Sequence, residues 1–164
     1  IWDTENHKLI HHFQEVAKGE IWNILFNPKG EWLVGVNNDQ IHVWNTNDFK
    51  LQHTFKDPTK DRVICIAFHP NGKWLASGPG NVNKNDKSVR LWDLEKRVLI
   101  SKYNGPTHIV RSIAFNAKGT WLVAGSLDDA IYLWDTNQLK AVKVIPWNYG
   151  YISCVLFYPQ KECL

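Results

Sequence analysis

Residues 85–96 read NDKSVRLWDLEK. A polar turn leads into alternating Val89, Arg90, Leu91 and Trp92, and Asp93 follows the large aromatic. Alternation with a period of two marks a half-buried strand, so the Trp–Asp pair closes a short strand and opens a turn. The device recurs as IYLWDT at 131–136, IHVWNT at 41–46 and IWDT at 1–4. Trp2, Trp44, Trp92 and Trp134 stand 42, 48 and 42 residues apart.

A second anchor keeps the same register. Apolar strands end on Phe26, Phe68, Phe115 and Phe157, at spacings of 42, 47 and 42. Six residues after each comes Trp32, Trp74, Trp121 or Cys163, always followed by Leu. Eleven residues after each Trp of the first series comes Phe13, Phe55, Tyr103 or Ile145. Four offsets held over four copies establish an internal repeat. In the second full unit the strands read RVICIAF, KWLASG, SVRLW and RVLISKY, parted by HPNG, a Gly/Asn-rich loop and DLEK. HPNG and the equivalent NPKG carry the chemistry of tight turns. No apolar stripe at helical spacing is long enough to propose a helix. A four-stranded sheet cannot bury both faces alone, so neighbouring units must stack face to face.

Composition bounds the function. Of 164 residues, 44% are hydrophobic and 21% charged, as in ordinary globular domains. Nine Trp, seven Phe and five Tyr supply a large aromatic core. The formal charge of +3 is too mild for a dedicated nucleic-acid footprint. No apolar run reaches the roughly 18–20 residues that span a bilayer, and no signal-peptide pattern is visible. Cys65, Cys154 and Cys163 form no metal or redox spacing. Cys65 and Cys154 fall in apolar strand patterns and read as buried thiols. With no N-x-[S/T] acceptor, this leans to a cytoplasmic or nuclear setting. The sequence contains no Met and begins on a strand ending, which reads as part of a longer polypeptide.

A period of about 40–45 residues, four strands per unit and a Trp–Asp pair closing the third strand resemble a WD-repeat β-propeller blade. KWLASG…DKSVRLWDLEK and GTWLVAGSLDDAIYLWDT carry the resemblance, which runs the length of the chain. It implies an all-β fold of about three full four-stranded antiparallel blades plus two partial ones. Residues 1–13 would end a blade, 14–55, 56–103 and 104–145 would be blades, and 146–164 would begin another. NHKLIHHF is expected as a fourth strand, YISCVLFYP as a first, and ECL as the start of a second. Trp44, Trp92 and Trp134 would be wedges between blades. The family's buried network would use Asp86, Ser77 and Trp92 in the second unit, and Asp128 and Trp134 in the third, where Ala124 replaces Ser. The first unit has Asn38 and Gly35 there, and no unit keeps the family's Gly–His pair.

Catalytic chemistry finds no constellation. There is no phosphate-cradling loop, no G-x-S-x-G and no H-E-x-x-H. His11 and His12 would point to opposite faces of a strand. The acidic pair Asp128–Asp129 occupies a turn position that recurs between units. No cofactor and no metal are implied, and the reading is a non-enzymatic scaffold. What remains is the loop rim, where the resemblance places partner contacts. The unit openings offer Glu20, Arg62, Ile109 and Tyr151, and the turns before the third strands offer Asn37, Asn85 and Leu127. Trp147, Tyr149 and Tyr151 in WNYGY, with Arg62, are residue types favoured at binding hot spots. The long 79–86 loop accounts for the 48-residue spacing and is either a specificity loop or a neutral insertion. The expected partner is a protein or peptide in a multi-subunit complex, with no membrane. Two alternatives stand beside it: RNA stacking on WNYGY near Lys140 and Lys143, and an accessory propeller domain of a larger enzyme.

Overall fold

The tetrads NPKG, HPNG and NAKG each end on a glycine in the left-handed region, with φ of 74° at Gly30, 73° at Gly72 and 74° at Gly119. Glycine takes that conformation without the Cβ penalty, so each tetrad reverses the chain and returns it as the next strand. The computed structural model describes residues 1–13, 20–81 and 85–158. Every regular element among them is a strand. The first sheet holds β1 (Asn23–Phe26), β2 (Trp32–Asn37), β3 (Gln40–Asn45) and β4 (Leu51–Lys56). The second holds β5 (Val63–Phe68), β6 (Trp74–Pro79), β7 (Val89–Asp93) and β8 (Val98–Tyr103). The third holds β9 (Val110–Phe115), β10 (Trp121–Ser126), β11 (Ala130–Asp135) and β12 (Lys140–Pro146). Each is an antiparallel meander in sequence order, and β5 lies against β1 on one side and β9 on the other.

Local chemistry answers why Asp follows Trp. Asp93 Oδ1 accepts from the Lys96 amide at 2.8 Å, and Asp135 Oδ1 accepts from Asn137 at 2.8 Å and Gln138 at 3.0 Å. Asn45 Oδ1 does the same for Asn47 at 2.7 Å, and Asp3 Oδ1 for Glu5 at 2.8 Å. A short carboxylate or amide can take the orphan amides of a tight turn. Five residues after each Trp the chain passes through a left-handed residue, at His7, Phe49, Arg97 and Leu139. Residues 1–13 thus share the turn geometry of the three full units. The register also shifts at the same place in every sheet, beside Trp44, Trp92 and Trp134. Such a bulge re-aims the local side chain.

Trp92 and Trp134 do lie between layers. Trp92 belongs to a core built from Val34, Val36, Ile41 and Phe55 of the first sheet and Ile66 and Leu75 of the second. Trp134 belongs to one joining Ala76, Leu91 and Tyr103 to Ile113, Leu122 and Tyr132. The residue eleven past the preceding Trp packs on each ring: Phe13 on Trp44 at 5.1 Å, Phe55 on Trp92 at 5.4 Å and Tyr103 on Trp134 at 5.6 Å. At about 25 cal/mol per Å2 of apolar surface buried, the Phe55–Trp92 and Tyr103–Trp134 pairs contribute substantially to adhesion between sheets. Ile66, 4% exposed, is sealed between sheets, whereas Ile24, its counterpart one unit earlier, is 51% exposed.

The flanking segments depart from expectation. NHKLIHHF forms no strand; one bridge joins Trp2 to Leu9, with Asp3 N donating to Lys8 O at 2.8 Å. YISCVLFYP forms no ladder over 151–157 with any of the described strands. Ile152 and Val155 are nevertheless buried against Ala114 and Val123, and the Val155 amide donates to Ser112 Oγ at 3.1 Å. Cys65 is buried, as expected, but Cys154 is exposed. ECL, Cys163, residues 82–84 of the long loop and the 14–19 opening of the first full unit lie outside the described residues.

Candidate functional site

Backbone hydrogen bonds gather the loops that open each unit against the turns before the third strands. The Trp22 amide donates to Val36 O at 2.9 Å, Val63 to Asn38 O at 2.7 Å and Gly80 to Arg62 O at 2.7 Å. Leu127 donates to Ile109 O at 2.9 Å, and Trp147 to Asp129 O at 2.6 Å. Both loop families therefore sit on one edge of the stacked sheets. Glu20, Arg62, Asn85, Trp147, Tyr149 and Tyr151 are exposed on it, while Ile109 and Leu127 are half-buried. Tyr149 is 87% exposed, and its ring meets Trp147 edge-on at 5.6 Å. Trp147 and Tyr151 wall a cleft of about 200 Å3 floored by Ile131, Ile152 and Val155. Arg62 lies apart from them, its guanidinium 4.8 Å from the centre of the Trp22 ring. Lys140 pairs across from Asp135, at the opposite end of β12 from Trp147, so it does not flank the aromatics.

Asn37 leaves the set of exposed rim residues. It is 3% exposed, and its Oδ1 lies 3.2 Å from His42 Nε2. Asn38 takes the turn itself, with φ of 43°. The turn after β2 is one residue shorter than that after β10, which moves the buried polar position from 38 to 37. The signal was present in the spacings: Trp32 to Trp44 is one residue less than Trp121 to Trp134.

Beneath the rim lies a set of polar ties absent from the sequence reading. Two residues before each wedge Trp, at His42, Arg90 and Tyr132, a buried side chain reaches the turn above it. Tyr132 Oη donates to Asp128 Oδ2 at 2.8 Å, and Asp128 also accepts from the Thr107 amide at 2.6 Å. Arg90, 1% exposed, pairs with Asp86 Oδ2 at 2.9 Å and with the buried Asp57 Oδ2 at 3.1 Å. Asp57 follows β4, so this pair also joins the first sheet to the second. The expected Ser77–Trp92 link is present, with Trp92 Nε1 donating to Ser77 Oγ at 2.8 Å. Asp86 stands apart from it, held by Ser88, Arg90 and Lys102. In the third sheet, where Ala124 replaces Ser, Trp134 Nε1 donates to Asn104 O at 3.2 Å. In the first, the Trp44 ring crosses Gly35 so closely that a Cβ there would sit 3.1 Å from it.

Electrostatics follow from these partners. Burial works to raise the Asp86 carboxyl, but the hydrogen bonds from Ser88 and Lys102 and the Arg90 charge outweigh it and hold the group well below the usual range. Asp128 is likewise depressed, its burial outweighed by hydrogen bonds from Thr107, Tyr132 and Ser126. Asp61, wholly buried, is raised by its burial, which the Arg62 amide and the Lys87 and Arg90 charges only partly offset. Burial pushes Cys65 up to about 12, so this thiol stays protonated. Among the described residues no three His, Cys, Asp or Glu side chains converge in a way that could hold a metal ion, and no helix is long and apolar enough to cross a membrane.

The sequence matches the family model for the WD domain, G-beta repeat, three times, over residues 4–45, 49–93 and 97–135. It is similar to a WD repeat-containing protein of Dictyostelium discoideum, at 27% identity over 81 residues, 48% of this chain and 14% of the relative. A WD repeat-containing protein 26 homolog of Arabidopsis thaliana is 29% identical over 84 residues, 49% of this chain and 14% of the relative. The alignments thus span about a seventh of the length of these curated relatives. The solved structure of U3-55K superposes with a TM-score of 0.76 at 19% identity, covering 85% of this chain and 43% of that one.

Proposed function

Because this chain belongs to the WD domain, G-beta repeat family, whose propellers generally serve as protein-interaction scaffolds, we propose that it grips a protein or peptide partner along its loop rim without performing chemistry. The observation that carries this reading is the aromatic group Trp147, Tyr149 and Tyr151, exposed beside a cleft of about 200 Å3. Exposed aromatics fixed on a rigid scaffold lose little side-chain freedom on binding and contribute large contact area, so they anchor interfaces. Arg62, with its guanidinium fixed over Trp22, extends the surface towards the first sheet. Asn85, Ile109 and Leu127 line the edge between them and shape the contact.

The test replaces Arg62, Trp147 and Tyr151 together with Ala and compares partner capture with that of the unaltered protein. Loss of specific partners with an unchanged thermal melt is expected. Retention of every partner would remove this edge from the function. RNA binding is the competing outcome. It would show as a steep fall in affinity for single-stranded RNA with added salt, and the distance of Lys140 from the aromatics weighs against it.

A further inference from the structure

Between the first and second sheets the same rim opens into a polar cavity of about 340 Å3, lined by Asn38, Asp39, Lys60, Arg62 and Asn81. Its walls are fixed by main chain. Asp57 N donates to Asp39 O at 2.7 Å, Lys60 N to Asp57 O at 2.9 Å and Gly80 N to Arg62 O at 2.7 Å. Lys60 itself adopts the left-handed conformation that ends its turn, with φ of 55°. The cavity is therefore part of the folded frame.

Its charge is what distinguishes it. Asp61 turns inward and is fully buried, while its neighbours Lys60 and Arg62 are exposed at the mouth. Three cations of the second sheet and its turns are neutralised by acids: Arg90 by Asp57 and Asp86, Lys102 by Asp86, and Lys73 by Glu95. Among the described residues neither Lys60 nor Arg62 forms an ion pair with a carboxylate. Against these two cations the lining sets one acid, Asp39. Arg62 is held by its contact with Trp22, which fixes the guanidinium fork and offers an exposed apolar face beside it.

We infer that this cavity receives a carboxylate side chain from an acidic peptide segment of a protein partner. Arg62 donates to the carboxylate as a bidentate fork, Lys60 supplies the second positive charge, and an apolar neighbour in the segment rests on Trp22. A planar fork and a point charge converging on a cavity of side-chain size suit a carboxylate. The inference rests on the rim being a docking surface and names what one end of it recognises.

The probe is a fluorescein-labelled peptide of alternating Asp, Glu and Leu, compared with its Asn, Gln and Leu counterpart by fluorescence anisotropy. Binding of the acidic peptide that weakens with added salt is expected, with the amide counterpart about tenfold weaker or worse, since charge-assisted hydrogen bonds are lost. Lys60→Glu and Arg62→Glu should each reduce affinity by about tenfold or more, Lys60→Gln by less, and Trp147→Ala by less than about twofold. Both cations are exposed, so circular dichroism should show these variants folded. Equal binding of the amide peptide, or a folded Lys60→Glu protein with undiminished binding, overturns the inference. So does failure of the acidic peptide where a phosphorylated peptide or single-stranded RNA binds through the same two residues. Lys60 lies outside the triple variant used for the rim. Loss of partners in the triple variant alone therefore sinks the carboxylate site and keeps the rim. Loss in Lys60→Glu with retention after Trp147→Ala and Tyr151→Ala removes the aromatic end and keeps the cavity.

Discussion

The second and third sheets solve one structural problem with different chemistry. In each, a wedge Trp needs a hydrogen-bond acceptor, and the turn before its strand needs a buried anchor. The second uses Ser77 for the indole and an ion pair for the anchor, with Arg90 between Asp86 and Asp57. The third uses the main-chain oxygen of Asn104 for the indole and a neutral phenol, Tyr132, against Asp128. The third sheet's tie stays within its own unit; the second's reaches across to Asp57 after β4. The lesson is that the repeat conserves a position and a direction while leaving the chemistry free. The consequences of removal should therefore differ.

The aromatic wedges should give the largest effects, and similar ones in both sheets. Trp92→Ala and Trp134→Ala should each cost roughly 3–5 kcal/mol, as large-to-small changes in a packed core do. Chemical denaturation measures this, and a near-neutral result for either would contradict its interlayer position. The anchors should then separate the sheets. Arg90→Met leaves the buried Asp57 carboxylate without its counter-charge, with only Thr59 among the described residues donating to it, and should cost about 3–5 kcal/mol. Tyr132→Phe leaves Asp128 with its Thr107 partner and should cost about 0.5–1.5 kcal/mol. Equal losses would mean that the Arg90 pair does not join the first sheet to the second. Ser77→Ala comes next, at about 1 kcal/mol for the lost bond to Trp92. The reciprocal Ala124→Ser should gain nothing, because the Trp134 indole already has Asn104.

Acid gives the smallest and most diagnostic effect. The folded-state carboxyls of Asp86 and Asp128 are depressed, so the stability they contribute is present above the unfolded value of about 3.9 and is lost as pH falls below it. Asp61 has the opposite sign. Its raised carboxyl contributes stability that is full below that unfolded value and is lost as pH rises through the folded one. Denaturation midpoints between pH 7 and pH 3 should therefore fall less steeply in Asp86→Asn than in the unaltered protein, and more steeply in Asp61→Asn. A reversed order would place these carboxylates in other surroundings.

Much of this was legible from residues alone, for a reason visible in the turns. The Pro/Gly tetrads, the Trp–Asp turns and the alternating strands are local devices, each complete within a few residues, and the structure repeats them in register. The wedge role of Trp92 followed as well, because a sheet with two apolar faces must be covered on both. The rim was legible as a place but not as a surface. Asn37 reads as a turn residue, and only the one-residue-shorter turn after β2 buries it against His42. Trp147, Tyr149 and Tyr151 sit on the edge expected of them, yet Arg62 stands apart, beside Trp22 and Lys60.

The sequence by itself determined the repeat, the all-strand architecture, the turns and the identity of the wedge residues. Those depend on spacing and on backbone conformations that single residue types favour. Only the tertiary structure decided that Arg90, one of the alternating strand residues, is buried between Asp57 and Asp86, that Cys154 is exposed, and that Lys60 joins Arg62 around one cavity. Each of these depends on what a neighbouring sheet or loop places opposite the residue. Burial and charge pairing are properties of two surfaces brought together, and a single strand specifies only one of them.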